Sequence, residues 1–242
     1  MKNSHTLFIT IAISILCLSY STPKKKVTLL VFSKTAGYRH ASIKKGKEAI
    51  QLLAEKNNFI IDTTEDASYF TKKNLKKYAA VIFLSTTGDV LNEEQQKAFE
   101  DFIRSGKGFM GIHAATDTEY DWPWFVKLVG ANFLNHPKPQ KAKLIVTDKT
   151  NLSVMHLPTP WERTDEWYNF KNINPAIKVI LTIDETSYEG GKNGANHPMA
   201  WYHEYDGGRS YYTALGHTDE SYIDPLFLQH LLGGIKYAVG MK

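Results

Sequence analysis

Residues 108–115, with the sequence GFMGIHAA, decide the fold class of this chain. The apolar run at 109–112 predicts a strand, and His113 follows it between the small residues Gly111 and Ala115. A small-x-X-x-small pattern after a strand is typical of a nucleophile elbow, a tight turn whose central residue lies against neighbouring backbone. Histidine at its centre can act as a base, an acid or a metal ligand. Alternatively, His113 has a purely structural role on this turn.

The sequence on the N-terminal side of this stretch alternates strands with helices. The continuous apolar runs VTLLVF at 27–32 and AAVIFL at 79–84 predict strands buried on both faces, and residues 59–61 predict another. Ser42 and Asn92 are each predicted to cap a helix. Strands and helices that alternate with short connections predict an α/β fold with a mainly parallel sheet.

The C-terminal half differs in character, because most aromatic residues and several strand-like runs fall there. These runs lie at residues 143–146, 179–183, 199–205 and 210–215, and a final helix is predicted from Pro225 to about Val239. No repeat or linker interrupts the sequence, so residues 22–242 are predicted to form a single domain.

The first 21 residues predict a cleavable signal peptide. Lys2 precedes the 12-residue apolar run LFITIAISILCL at 7–18, and the small residues Ser19 and Ser21 follow it. The run is shorter than the about 20 residues of an ordinary transmembrane helix, although an uncleaved anchor is an alternative. We therefore expect export to the periplasm or beyond, with no membrane attachment after cleavage.

The composition excludes several classes of protein. The only cysteine, Cys17, lies in the predicted signal peptide, so the mature chain has no disulfide, thiolate nucleophile or cysteine-bound metal. The net charge is +4, and much of the excess lies in lysine clusters at residues 24–26 and 72–77. Such clusters are typical of solvated surfaces, so no nucleic-acid partner is expected. The sequence also lacks GxxxxGK[ST], HExxH and GxSxG motifs.

Polar residues follow four of the predicted strands at the point where each strand ends. His40 follows the first strand, Thr87 the third, His113 and Asp117 the fourth, and His217 the last. Ligands of open parallel sheets bind beyond the carboxyl ends of the strands. We therefore expect these side chains to share a pocket, with His40, Thr87, Asp117 and His217 binding substrate.

Asp165 and Glu166 supply adjacent carboxylates in the stretch RTDEWY. Adjacent residues of an extended chain point to opposite sides, so at most one of them is expected in the pocket. A carboxylate there could orient and charge His113. Ion pairing with Arg163 or Lys171 is an equal alternative.

His197 and Trp201 lie in NHPMAW, at the start of an aromatic strand. Aromatic faces beside polar groups suit sugar rings, so both residues are predicted to bind substrate. For Trp201, packing in the core is the favoured alternative. Residues 135–137 (NHP) and 121–124 (DWPW) are candidates for the rim of the site.

Five motifs of this chain resemble, in order, those of the trehalose-utilisation (ThuA-like) family. They are GYRHAS at 37–42, GIHAATD at 111–117, TDEWY at 164–168, NHPMAW at 196–201 and LGH at 215–217. The resemblance covers about residues 26–240. It implies a flavodoxin-like three-layer sandwich similar to the class I glutamine amidotransferases. Those enzymes carry a catalytic cysteine at the elbow, and this chain has His113 there, so glutamine hydrolysis is not implied.

The resemblance also implies a role in carbohydrate metabolism, on trehalose-type disaccharides and their 3-keto forms. The positions it singles out are His40, His113, Asp165, Glu166, His197 and His217. A 3-keto group acidifies the neighbouring C–H bond, so a base poised near neutral pH could start isomerisation or elimination; hydrolysis is a third outcome. The expected catalytic residues are His113 as base or acid, with Asp165 or Glu166 orienting it.

Two other hypotheses use the same residues. His40, His113 and His217 could bind a divalent metal ion together with a carboxylate, which would make the chain a metal-dependent hydrolase. Alternatively, the pocket binds a small-molecule sugar without catalysis. The residues by themselves establish no cofactor.

Overall fold

The apolar runs of the sequence lie in a nine-stranded sheet in the computed structural model, which describes residues 26–241. The strands along the chain are β1 Val27–Phe32, β2 Phe59–Thr64, β3 Ala80–Leu84, β4 Gly108–Ile112, β5 Asn132–Asn135, β6 Gln140–Val146, β7 Trp161–Asp165, β8 Asn169–Lys171, β9 Lys178–Ile183, β10 Pro198–Tyr205 and β11 Gly208–Thr213. The order in the sheet is β2-β1-β3-β4-β11-β10-β9-β6-β7, and β5 pairs separately with β8.

The sheet has a parallel half and an antiparallel half. Strands β2, β1, β3, β4 and β11 run parallel, whereas β10, β9, β6 and β7 are added to β11 as an antiparallel extension. The carboxyl ends of the five parallel strands therefore meet at one edge of the sheet. The loops at this edge carry predicted site residues, among them His40, His113 and His217.

Helices cover both faces of the parallel half. They are α1 Ile43–Lys56, α2 Lys72–Leu75, α3 Glu93–Arg104, α4 Pro123–Val129 and α5 Pro225–Ala238. Helices α1 and α5 pack together on one face, while α3 and α4 contact β11 from the other and α2 packs on α3. The predicted flavodoxin-like three-layer α/β sandwich is confirmed.

The two predicted helix caps have different outcomes. Asn92 accepts a hydrogen bond from the Gln95 amide, and the Gln95 side chain accepts one from the Asn92 amide, so the predicted cap of α3 is a full capping box. The prediction for Ser42 is wrong. Its hydroxyl makes no cap bond and donates instead to the Gly216 carbonyl oxygen at 3.1 Å. Ser42 thereby joins the start of α1 to the loop after β11.

A cluster of phenylalanines fixes the parallel strands against α3 and α4. The Phe83 ring of β3 lies 5.5 Å from Phe99 and 5.4 Å from both Phe109 and Phe125. All four side chains are fully buried. Removing one such ring costs about 3–5 kcal/mol of stability. This packing holds the ends of β3 and β4 where the site is built.

The predicted signal peptide, residues 1–21 with Cys17, lies outside the described residues. Among residues 26–241, no helix is both long and apolar enough to cross a membrane. These residues share one continuous buried core.

Candidate functional site

His113 lies on the predicted elbow at the end of β4. Its φ angle is 51°, in the left-handed region that non-glycine residues rarely adopt. A Cβ atom on Gly111 would lie 3.0 Å from the Cβ of Ala115, which explains the small residues on both sides. The His113 Nδ1 lies 2.8 Å from the Ala214 carbonyl oxygen. Because a carbonyl only accepts, Nδ1 carries the proton of the neutral ring and Nε2 faces the site with its lone pair.

Three further side chains converge on His113 Nε2. The His40 Nε2 and the His217 Nδ1 each lie 3.2 Å from it, and the Glu166 Oε2 lies 3.4 Å away. Glu166 Oε2 is also 3.1 Å from His217 Nδ1. These four ligand atoms all lie within 4.8 Å of one another. We call the four residues the histidine–glutamate cluster.

The cluster is assembled from four separate parts of the fold. His40 lies in the loop after β1, His113 after β4, Glu166 directly after β7 and His217 in the loop after β11. His113 is fully buried, and the side chain of His217 is 23% exposed. The antiparallel extension therefore contributes the only carboxylate of the cluster.

Asp165 lies behind the cluster rather than in it. Its oxygens accept hydrogen bonds from the backbone amides of Gly216 at 3.2 Å and His217 at 3.1 Å, and they pair with Arg163 at 3.0 Å. The two adjacent carboxylates thus have different roles: Glu166 faces the histidines, and Asp165 holds the loop that carries His217. A direct catalytic role for Asp165 is not supported by this position, because its oxygens are occupied by backbone amides and the guanidinium.

The surroundings shift the protonation of the cluster in opposite directions. Burial opposes charge on Glu166, but its hydrogen bonds with His113 and His217 outweigh burial and hold the pKa of Glu166 well below its usual range. Burial likewise opposes charge on His217, and the hydrogen bond to Glu166 outweighs it and raises the pKa of His217. Burial, reinforced by His113, lowers the pKa of His40 to about 3. At neutral pH the cluster therefore contains an ionised carboxylate and a neutral His40.

Three further side chains surround the cluster, and the sequence predicted only one of them as a site residue. His136, a rim candidate, places its Nδ1 3.0 Å from Glu166 Oε1. The Tyr168 ring lies 4.5 Å from the His113 ring, and the Tyr38 ring lies 4.8 Å from that of His40 and is 67% exposed. Tyr38 belongs to the motif GYRHAS and Tyr168 to TDEWY, so both motifs could have indicated these tyrosines as site residues.

Thr87 and Asp117 lie beside the cluster. The Thr87 hydroxyl donates to the Tyr38 carbonyl oxygen at 2.9 Å and accepts from the Gly37 amide at 3.2 Å, so it shapes the loop that carries His40. Asp117 is half-buried and accepts a hydrogen bond from the Tyr120 hydroxyl at 2.7 Å. Burial raises the pKa of Asp117 above its usual value.

His197 and Trp201 lie in the core, away from any ligand-accessible surface. Both are fully buried. The His197 ring contacts Glu185 at 2.7 Å and the Tyr168 carbonyl oxygen at 2.8 Å, and the Trp201 indole donates to the Val129 carbonyl oxygen. Their predicted substrate-binding roles are not supported, because every ring nitrogen is already paired within the protein. His197 instead holds the backbone of Tyr168.

The histidine–glutamate cluster fits a divalent cation. Zinc ligands lie about 2.0–2.2 Å from the ion, which places tetrahedral ligand atoms about 3.4 Å apart; four contacts of the cluster measure 3.1–3.4 Å. Without a cation, the lone pair of His113 Nε2 faces the Glu166 carboxylate. Two such acceptors repel each other unless a proton or a cation lies between them. Imidazole and carboxylate are ligands of zinc, iron and manganese.

Fold and site together define an α/β sandwich protein with a histidine–carboxylate centre at the carboxyl edge of its sheet. The chain belongs to the ThuA family, described as trehalose utilisation, whose model matches residues 28–238. This membership agrees with the resemblance drawn from the five motifs and places the chain in carbohydrate metabolism. No curated protein matches the chain significantly in sequence.

Solved structures of ThuA-like proteins share this fold. One from Bacteroides uniformis superposes with a TM-score of 0.76 at 22% identity, covering 90% of this chain and 94% of its own. Another from Parabacteroides merdae gives 0.71 at 19% identity, covering 90% and 91%. A GMP synthase component from Thermoplasma acidophilum gives 0.53 at 12% identity, covering 89% and 96%. At these identities the likeness concerns the fold alone.

Proposed function

We propose that this chain is an exported carbohydrate-active enzyme whose reaction centre is a divalent-metal site formed by the histidine–glutamate cluster. The observation that carries the proposal is the convergence of three imidazole nitrogens and one carboxylate oxygen within 4.8 Å. Membership of the trehalose-utilisation family supports a sugar substrate. A keto sugar is the substrate that best suits the centre, because its carbonyl oxygen is a ligand for a Lewis acid.

The residues around the centre divide into those that hold it and those that meet the substrate. A divalent cation bound by His40, His113, His217 and Glu166 supplies Lewis-acid polarisation of a carbonyl oxygen. The Ala214 carbonyl keeps the His113 ring in the tautomer that presents a lone pair at Nε2. Substrate approaches from the side of His136 and Tyr38, the exposed wall of the cluster.

A second function, metal-free acid–base catalysis, is favoured by a different observation. The Glu166 carboxylate lies 3.1 Å from His217 Nδ1 and raises the pKa of that ring. A histidine with a raised pKa holds its proton to higher pH than a free ring and can act as an acid, and His113 can then serve as the partner base. Isomerisation, elimination or hydrolysis of a 3-keto-disaccharide would follow from such a pair.

Metal analysis combined with turnover separates these functions. The protein is stripped with a chelator, then titrated with Zn²⁺, Mn²⁺ and Co²⁺, with bound metal measured by mass spectrometry and turnover measured on 3-keto-trehalose. We expect one ion per chain, metal-dependent turnover, and about 100-fold weaker binding in His113→Ala and Glu166→Gln. His156→Gln is the matched control, because His156 binds the Leu226 carbonyl oxygen outside the cluster.

Three other outcomes redirect the proposal. Full turnover without metal favours the acid–base function. Sugar binding without product from any disaccharide favours a non-catalytic binding protein. The export step is tested separately by N-terminal sequencing of the mature protein, which we expect to begin at residue 22; retention of residues 1–21 overturns cleavage.

A further inference from the structure

A cavity lies beside α4, outside the histidine–glutamate cluster. Its volume is about 590 Å³, within the range of small-molecule sites. The lining residues that matter here are Tyr120, Pro123, Val126, Asn132, Asn172 and Pro175. We call this cavity the asparagine pocket. None of its lining residues belongs to the histidine–glutamate cluster.

The lining of the asparagine pocket combines side-chain amides with apolar walls. Asn132 is 2% exposed, its Oδ1 accepts a hydrogen bond from Asn172 at 3.0 Å, and its Nδ2 has no partner among the described residues. A buried amide without a partner costs about 1–3 kcal/mol. The Asn172 side chain is exposed, so its amide oxygen and its second amide hydrogen are available to a ligand.

The charges of the asparagine pocket narrow the class of ligand. No carboxylate lines it, and Lys127 is its single charged residue. Amides pair with vicinal hydroxyl groups as both donor and acceptor, while the rings of Tyr120, Pro123 and Pro175 present apolar surfaces. We propose that the asparagine pocket is a binding site for a neutral sugar or polyol. The inference goes beyond the proposed function, since it requires neither metal nor catalysis at the cluster.

Tyr120 connects the two sites. Its ring is part of the wall of the asparagine pocket, whereas its hydroxyl donates to Asp117 beside the cluster at 2.7 Å. A sugar that packs on this ring therefore lies one side chain from the residues around His113. The arrangement resembles a holding site beside a reaction centre.

Titration with trehalose and glucose tests the asparagine pocket. Binding is followed by calorimetry and by amide NMR shifts, on the wild-type chain and on two variants. Val126→Phe fills the cavity, and Asn172→Ala removes an exposed amide together with its hydrogen bond to Asn132, at a residue whose φ is 53°. The matched control is Leu52→Phe, which changes an exposed residue of α1 on another face.

We expect dissociation constants of about 1–10 mM for the wild type and about tenfold weaker binding in both variants. Leu52→Phe and His113→Ala should retain wild-type affinity at this pocket. Unchanged affinity in Val126→Phe and Asn172→Ala, or loss of all binding in His113→Ala, would assign the sugar to the cluster and overturn the proposal. No binding by the wild type overturns it as well. Thermal melts verify folding, and Asn172→Ala decides if Val126→Phe does not fold.

Discussion

Two fully buried histidines, His113 and His230, lie in opposite kinds of surroundings. His230, on α5, places Nδ1 2.9 Å from the Ser153 carbonyl oxygen and Nε2 3.0 Å from the Thr213 hydroxyl. Both nitrogens of His230 therefore have neutral partners that suit a neutral ring. His113 has such a partner only at Nδ1, and its Nε2 meets two histidines and a carboxylate.

The contrast separates structural from functional burial of histidine. Burial lowers the pKa of His230 to about 3, so this ring stays neutral and serves packing. At His113 the neighbours compete for protons, and only a cation or a shared proton satisfies all of them. Burial alone therefore does not tell a structural histidine from a functional one. The partners of Nε2 distinguish His113 from His230.

The largest expected effect is on turnover at the cluster. His113→Ala should lower turnover of 3-keto-trehalose by about 10²–10⁴-fold, because it removes either a metal ligand or the acid–base group. His230→Ala, assayed below its melting temperature, should keep activity within about tenfold of the wild type. Equal losses in the two variants would contradict the distinction between the histidines.

The next effect concerns the support behind the cluster. Asp165→Ala leaves the buried Arg163 with only the more distant carboxylate of Asp224, at 3.6 Å, and releases the Gly216 and His217 amides. We expect the free energy of unfolding to fall by about 3–5 kcal/mol, measured by urea denaturation. Asp165→Asn should lose less, since its amide oxygen still accepts. A loss below that of an average surface substitution would show that Asp165 does not support the loop.

A smaller effect tests the neutral state of His230. The unfolded ring has a pKa near its ordinary value of about 6.5, and the folded one about 3. Between these values the unfolded state binds one more proton, so the stability due to His230 falls as pH drops below about 6.5, by up to about 1.4 kcal/mol per pH unit. His230→Asn should destabilise the protein by about 2 kcal/mol at pH 7 and flatten this slope. An unchanged slope from pH 7 to 4 would mean that His230 is already charged.

The smallest effect is expected at an exposed ion pair next to His40. Glu65 accepts hydrogen bonds from Arg39 at 2.9 Å and Lys47 at 2.6 Å, and the hydrogen bond from Arg39 outweighs burial to lower the pKa of Glu65 to about 2. The stability that the ionised Glu65 contributes is present above about pH 4.5 and is lost as pH falls toward 2. Because the pair is exposed, Glu65→Gln should cost less than about 1 kcal/mol at pH 7. A larger loss in urea denaturation, or any loss of turnover, would place this pair inside the functional region.

The parallel half of the fold could be predicted from the sequence because its signals are local. Continuous apolar runs form β1, β3 and β4, and the Asn92 capping box starts α3. The small residues Gly111 and Ala115 indicated the elbow because the close approach they permit is a local steric requirement. Ser42 failed as a cap because its hydroxyl found a partner 174 positions away.

For the site, the most reliable predictions were the residues that directly follow the parallel strands. His40, His113 and His217 follow parallel strands, and the carboxyl-edge rule brings them together. Glu166 reaches the cluster from the antiparallel extension, and His136 follows β5 of the separate β5–β8 pair. The positions of both depend on long-range pairing. Trp201 is fully buried on β10, between neighbouring strands on both sides, in agreement with the core packing that its aromatic strand favoured over sugar binding.

The place of β11 has a consequence for how the protein is made. This strand is the last of the sheet along the described residues, yet it lies between β4 and β10 and joins the two halves. As the chain folds, the edges of β4 and β10 therefore stay unpaired until residues 208–213 insert between them. The cluster spans residues 40 to 217, so its four side chains come together only when the sheet is complete.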